Sequence, residues 1–161
     1  MSTILQDVLD EVYAALAADA DFLAAGGSGM VDFIVEDKGD VETQIGKALA
    51  QGTGLACVMD LVEGVDEAPD APAAVLNPLT VVMEVSERVV VNRQGTAGQD
   101  YLTLRQLLAM LIAKTKNFTY SSGAALVFAR FRMVPPPKGA DAAYQLFFET
   151  AETIRETIPA P

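Results

Sequence analysis

Few side chains in this chain could do chemistry, and each sits in a pattern that a reaction would not select. Cys57 is the one thiol in 161 residues and is the first candidate nucleophile. A thiolate at neutral pH needs a base or a positive neighbour, most often histidine. The chain has no histidine, and Cys57 lies between Ala56 and Val58 in an apolar run. A free cysteine there packs as a small hydrophobe. Glu84 and Glu87 could form the carboxylate pair of a glycosidic acid–base mechanism, but in a strand an offset of three sends them to opposite faces. Asp66, Glu67 and Asp70 could hold a hard cation, yet they lack calcium-loop spacing and are interrupted by Pro69 and Pro72. Gly52-Thr53-Gly54 opens like a dinucleotide fingerprint, but Cys57 stands where the third glycine belongs and a strand, not a helix, should follow. Gly26 to Gly29 lacks the Gly-Lys-Ser/Thr ending of a phosphate loop. Without histidine, Ser-His-Asp and Cys-His catalysis and ordinary zinc sites are excluded. The expectation is a protein that is not an enzyme, with no catalytic, cofactor-binding or metal residues and no cofactor.

The elements that would position these residues are legible from periodicity. Ile4, Val8, Val12 and Leu16, with Leu5, Leu9 and Tyr13 beside them, predict a first helix. Thr3 and Gln6 are spaced for a capping box, and Gly26-Gly27-Ser28-Gly29 closes the helical region. Met30 to Glu36 predicts a short strand. A second helix follows from Asp40, striped by Val41, Ile45 and Leu49 and closed by Gly52. Leu55 to Val62 predicts a strand, Gly64 to Pro78 an acidic, Pro-rich solvated loop, and Leu79 to Val91 a long strand that includes Val89-Val90-Val91. A central helix spans about Asp100 to Lys114, with Tyr101, Leu104, Leu108 and Leu111 on one face. In the next strand Ala125, Val127, Ala129, Phe131 and Met133 alternate with Arg130 and Arg132. Pro135 to Gly139 turns the chain, and a last strand runs from Ala143 to about Arg155. The order α-β-α-β-β-α-β-β, with consecutive strands joined by turns, gives an α+β fold: an antiparallel sheet with helices packed on one face. Residues 1–161 are read as a single domain with a frayed tail at 157–161.

Charge narrows the partners. Acidic residues outnumber basic ones 22 to 11, for a net charge of −11. That repels polyanions and anionic membrane surfaces, while leaving room for a protein that lets DNA slide past without specific binding. No apolar run reaches the length of a membrane-spanning helix, and the start of the chain, with Asp7, Asp10 and Glu11, does not read as a signal peptide. The Asn117-Phe118-Thr119 sequon is therefore taken as accidental. One cysteine excludes an internal disulfide and fits a reducing compartment.

In so acidic a protein, Arg88, Arg93, Arg130 and Arg132, with Arg105, stand out along strand edges and turns, where they could pair with a neighbouring acidic subunit. The last hairpin carries apolar residues on both faces, Leu126 and Phe128 on one strand and Phe147 and Phe148 on the other. A sheet covered on one face should be polar on the other, so this doubling points to association. Arg88, Arg93, Arg130, Arg132, Phe128 and Phe147 are the candidate subunit interface.

The segment Glu87-Arg88-Val89-Val90-Val91-Asn92-Arg93-Gln94-Gly95-Thr96-Ala97-Gly98, followed by the helix Tyr101 to Ile112, resembles phage tail-terminator proteins. The likeness covers Thr3 to Ile154 in element order, and only the Asn-Arg-x-Gly-Thr turn is motif-like. The resemblance implies a non-enzymatic structural protein of the tail-terminator or head–tail joining type. Such proteins form rings, often hexameric, that end the tail tube, meet tail tube and head–tail connector proteins, and let DNA through the bore. It implies assembly in the bacterial cytoplasm and a place in the virion tail or neck. The rival expectation is a cytoplasmic protein-binding adaptor that docks through the apolar β-hairpin. An enzyme built on carboxylates alone, around Glu84 or Asp60, is the remaining class.

Overall fold

The structure is a computed structural model and describes residues 4–19, 32–35, 40–50, 54–92, 103–116 and 118–154. Its elements are α1 (Ile4–Ala18), β1 (Asp32–Val35), α2 (Val41–Ala50), β2 (Leu55–Asp66), β3 (Ala74–Glu87), a single helical turn α3 (Val89–Asn92), α4 (Leu104–Thr115), β4 (Val127–Val134) and β5 (Ala142–Ile154). The α+β class and the element order are those expected. The strands form one sheet in the order β1-β2-β3-β5-β4. β2, β3, β5 and β4 are antiparallel neighbours, and the short β1 pairs parallel to β2. That parallel pair departs from an all-antiparallel sheet, and its cause is local: α2 intervenes between β1 and β2, and a helical crossover returns the chain in the same direction.

The main core lies on one face of the sheet. Leu55, Cys57 and Met59 of β2, Val81, Met83 and Val85 of β3, and Leu146 and Phe148 of β5 present alternate residues to it. α1 meets them with Val8, Leu9, Val12 and Leu16, and α4 with Leu104, Leu107, Leu108 and Leu111. α2 differs from the expectation of helices on one face only. It packs Ala48 and Leu49 on Ala56, with Val58 beside them, and these two alternate with the core-facing residues of β2. A second, smaller apolar cluster therefore lies on the opposite face.

Two stretches read differently once the strands are paired. Val89 to Val91 carries strand-forming residues but makes the helical turn α3. The partners of Glu87 are Leu55 and Ala142, the terminal residues of β2 and β5, so no neighbouring strand remains to pair with beyond it. Instead the Arg88 N–H donates to the Gly54 carbonyl at 2.8 Å and the Val89 N–H to the Asp141 carboxylate at 2.7 Å. The expected loop of 64–78 is mostly hairpin. β2 continues to Asp66 and β3 resumes at Ala74, leaving a turn at 67–73. Asp66 Oδ1 accepts the N–H groups of Ala68 and Val75, both at 3.1 Å, and the Asn77 side-chain amide donates to Glu67 at 2.8 Å. The acids thus tie the turn together. Pro78 falls where the β3–β5 register skips from Leu76 to Leu79, so its missing N–H removes no ladder bond.

The entry to α4 is fixed by a capping box at Thr103, three residues after the expected start near Asp100. Thr103 Oγ1 accepts from the Gln106 N–H at 3.2 Å, while Gln106 Oε1 accepts from the Thr103 N–H at 2.9 Å. Thr103→Ala should lower the unfolding free energy by about 1 kcal/mol in a denaturant titration. The expected roles of Thr3, Gly26 to Gly29, Gly52, Arg93, Tyr101 and the tail 157–161 lie outside the described residues.

Candidate functional site

Of the side chains singled out for chemistry, Cys57, Asp66, Glu67 and Glu84 are held in structural positions. Cys57 is fully buried, and burial pushes its thiol up to about 12 from an ordinary 9.0, which keeps it protonated. Glu84 and Glu87 point to opposite faces, as their spacing requires. Glu87 lies with Leu55 on the core side, whereas Glu84 accepts a hydrogen bond from the Gln145 amide at 2.8 Å on the other. Among the described residues, no group of three or more Cys, Asp and Glu could hold a metal ion. A cleft lined by Asp7, Val8, Glu11, Tyr120, Ser121, Ser122 and Glu152 carries three carboxylates. Glu11 is occupied there, accepting from the Ser121 N–H at 2.8 Å and its hydroxyl at 2.6 Å.

The surface that stands out is the edge strand β4. A bulge splits it: Phe128 pairs with Phe148 and Arg130 with Phe147, so Ala129 is the extra residue. The bulge reverses the alternation. Before it, Val127 opposes Glu149 on the face away from the main core. After it, Arg130 and Arg132 share that outer face, while Phe131 and Met133 sit opposite Leu146 and Tyr144 on the helix-bearing side. The expected single apolar face of Val127, Ala129, Phe131 and Met133 is therefore two half-faces, corrected by one inserted residue.

On the outer face Arg130 and Arg132 lie over the Phe147 ring, their guanidinium carbons 4.5 and 5.2 Å from its centre. Flat guanidinium groups stack well on an aromatic face. Phe147 is consequently only 9% exposed. Arg132 also donates to Gln145 Oε1 from Nε at 3.2 Å and from a terminal nitrogen at 3.0 Å, and Gln145 in turn holds Glu84. The row Arg132–Gln145–Glu84 runs across three strands in register. No carboxylate forms an ion pair with either arginine among the described residues, and both side chains remain exposed.

Of the residues singled out from sequence, the structure brings Arg130, Arg132 and Phe147 together. Phe128 is half-buried and packs edge-on against Phe148, with ring centres 5.5 Å apart. Its ring therefore faces inward. Arg88 is exposed at the far end of β3, next to Gly54, separate from the β4 group. Sequence reasoning passed over Phe131 and Met133, which are 56% and 72% exposed, and Val127, at 54%. Apolar alternation had placed them on one face of a strand. Only their place on an edge strand shows otherwise, and strand order is not a local property of sequence.

Compared with known proteins, the chain matches no family model and no curated protein sequence.

Proposed function

We propose that this chain is a phage structural protein of the tail-terminator or head–tail joining type, which assembles with itself into a ring that caps or connects the tail tube. The observation that carries this reading is the β4 edge. An acidic chain places an exposed basic and apolar strand at the margin of its sheet, while its chemically capable side chains serve the fold. Exposed edges are normally blunted, because they invite pairing with another chain. One left apolar and cationic on a protein of net charge −11 suits an acidic protein neighbour. The layout resemblance to tail terminators agrees with this, as does an acidic surface that does not trap DNA. On this reading the ring meets tail tube and connector proteins, and its place is the virion tail or neck.

Sedimentation of the purified chain at rising concentration tests the proposal, together with polymerising tail tube protein. The expected result is an oligomer of one discrete mass and tubes that stop growing when it is added. A chain that stays monomeric and leaves tube length unchanged would remove the reading. Phe131 and Met133 also suit an adaptor that docks one foreign protein. That second reading predicts a monomer which binds its partner one to one and loses binding on Phe131→Ser.

A further inference from the structure

We infer that copies of this chain join head to tail through two opposite free edges of the sheet, the acidic segment 60–66 of β2 meeting the basic strand β4 of the next copy. The inference deepens the self-assembly reading above and rests on it for the existence of an oligomer, but not for the tail.

The sheet has one unpaired margin at each side. β4 ends the order at one side, with no strand beyond it among the described residues. At the other side β1 pairs with Ala56 to Met59, so among the described residues β2 from Asp60 to Asp66 is also a free edge. The two margins carry opposite charge. The β4 sequence VFARFRMV holds two arginines and no acid, and the β2 segment DLVEGVD holds three acids and no base.

Each margin is also apolar where it is exposed. Among the described residues, the exposed large hydrophobic ones are Val62 and Val65 on one margin and Val127, Phe131 and Met133 on the other. Val62 is an extra residue in the β2–β3 ladder, falling between Leu61 and Glu63 where the register shifts, whereas at Val65 the extra residue is on β3, where Asn77 and Pro78 face the single residue between Gly64 and Asp66. A bulge turns a side chain out of the regular alternation, which accounts for Val62, and Val65 lies at the irregular end of the same ladder.

Face matches as well. Asp60 pairs with Val82, Val82 with Phe147 and Phe147 with Arg130, so one cross-strand row starts in an acid and ends in an arginine. Residues of one row share a face. Asp60 and Arg130 are thus on the same outer face at the same height, at opposite sides of the molecule. Because β1 already covers Ala56 to Met59, β4 of one copy fits against β2 of the next only when displaced along it, so that Val134 and not Arg130 lies level with Asp60; Arg132 then arrives near Glu63, with β4 antiparallel to β2. Charge also rejects the alternatives. Pairing β4 with β4 sets Arg130 and Arg132 against arginines, and pairing β2 with β2 sets acids against acids. Only the unlike pairing is attractive, and an unlike, heterologous contact is the kind that generates rings.

The test is charge reversal read by sedimentation and light scattering, with thermal melts to show that each variant folds like the native chain. Arg130→Glu with Arg132→Glu, and separately Asp60→Lys with Glu63→Lys, should each weaken self-association roughly thirtyfold or more. All four changes in one chain should restore it, because the signs are again complementary. Native-like assembly by the Asp60/Glu63 variant would overturn the inference, as would failure of the fourfold variant to recover while both pairs lose association. So would a native chain that never leaves the monomer. If the oligomer obeys these reversals but never caps a tube, the edge contact stands and the tail reading falls. If rings cap tubes and ignore all four substitutions, the tail reading stands and the edge contact falls.

Discussion

Phe148→Ala is expected to lower the unfolding free energy by about 3–5 kcal/mol, the range for deleting a buried aromatic ring. Phe148 is fully buried on β5, an interior strand, between Val81 of β3 and Phe128 of β4 in register. Its ring touches Phe128 edge-on, a geometry that adds about 0.5–1.5 kcal/mol beyond the area hidden. Domains of this size hold about 5–15 kcal/mol in total, so this single change removes a large share. Urea titration should show a lower midpoint with an unchanged slope, since the surface exposed on unfolding is nearly the same. Phe131 supplies the contrast. It lies on the same side of the sheet one strand away but is 56% exposed, so Phe131→Ala should move the midpoint little, by about 0.5 kcal/mol. Its effect should appear in self-association. A large destabilisation by Phe131→Ala would mean that this side chain belongs to the core.

The difference between those two phenylalanines marks how far the sequence could be read. The helices Ile4–Ala18 and Leu104–Thr115 were legible because their burial follows a 3.6-residue period that no other arrangement would produce. The interior strands were legible as apolar runs rich in Val, Leu and Met, although Val58 and Val82 interrupt a strict alternation. The failures fall where a structure is set by something distant. Val89 to Val91 has strand propensity, but a strand needs a neighbour, and both neighbours end level with Glu87. The acids of 66–70 resembled a solvated loop, whereas backbone N–H groups of their own hairpin recruit Asp66. In β4 one inserted residue, Ala129, reverses the alternation and carries Arg130 and Arg132 onto Phe147. From sequence alone Phe147 and Phe148 are equivalent apolar neighbours. In the fold one is the centre of the core and the other is roofed by two guanidinium groups.

Raising the pH above the ordinary range of a thiol should destabilise the protein, and Cys57 should set where the loss begins. Burial lifts the folded-state pKa of this thiol from 9.0 to about 12. Below about pH 8 the thiol is protonated in both folded and unfolded chains, so it contributes no pH dependence there. Between 9 and 12 the unfolded chain releases its proton and the folded chain does not, so each pH unit favours unfolding by about 1.4 kcal/mol. Over that window the total approaches about 4 kcal/mol, after which the folded thiol also ionises and the trend levels off. Tyr120 acts in the same direction from a higher start. Its hydroxyl is buried without a hydrogen-bond partner among the described residues, and burial first, then the charges of Glu11 and Glu152, hold its pKa above the ordinary 10.0. Melting temperatures taken from pH 8 to 11 should therefore fall for the native chain starting near pH 9. Cys57→Ala should remove the first part of that fall and leave the later part, where Tyr120 contributes, whatever its own cost to stability at pH 7. Because the folded thiol is both buried and protonated, a thiol reagent should label Cys57 only as fast as the chain opens. Rapid labelling of the native chain, or identical alkaline melting profiles for the two proteins, would show that Cys57 is not buried among Leu55, Met59 and Val85 as the fold requires.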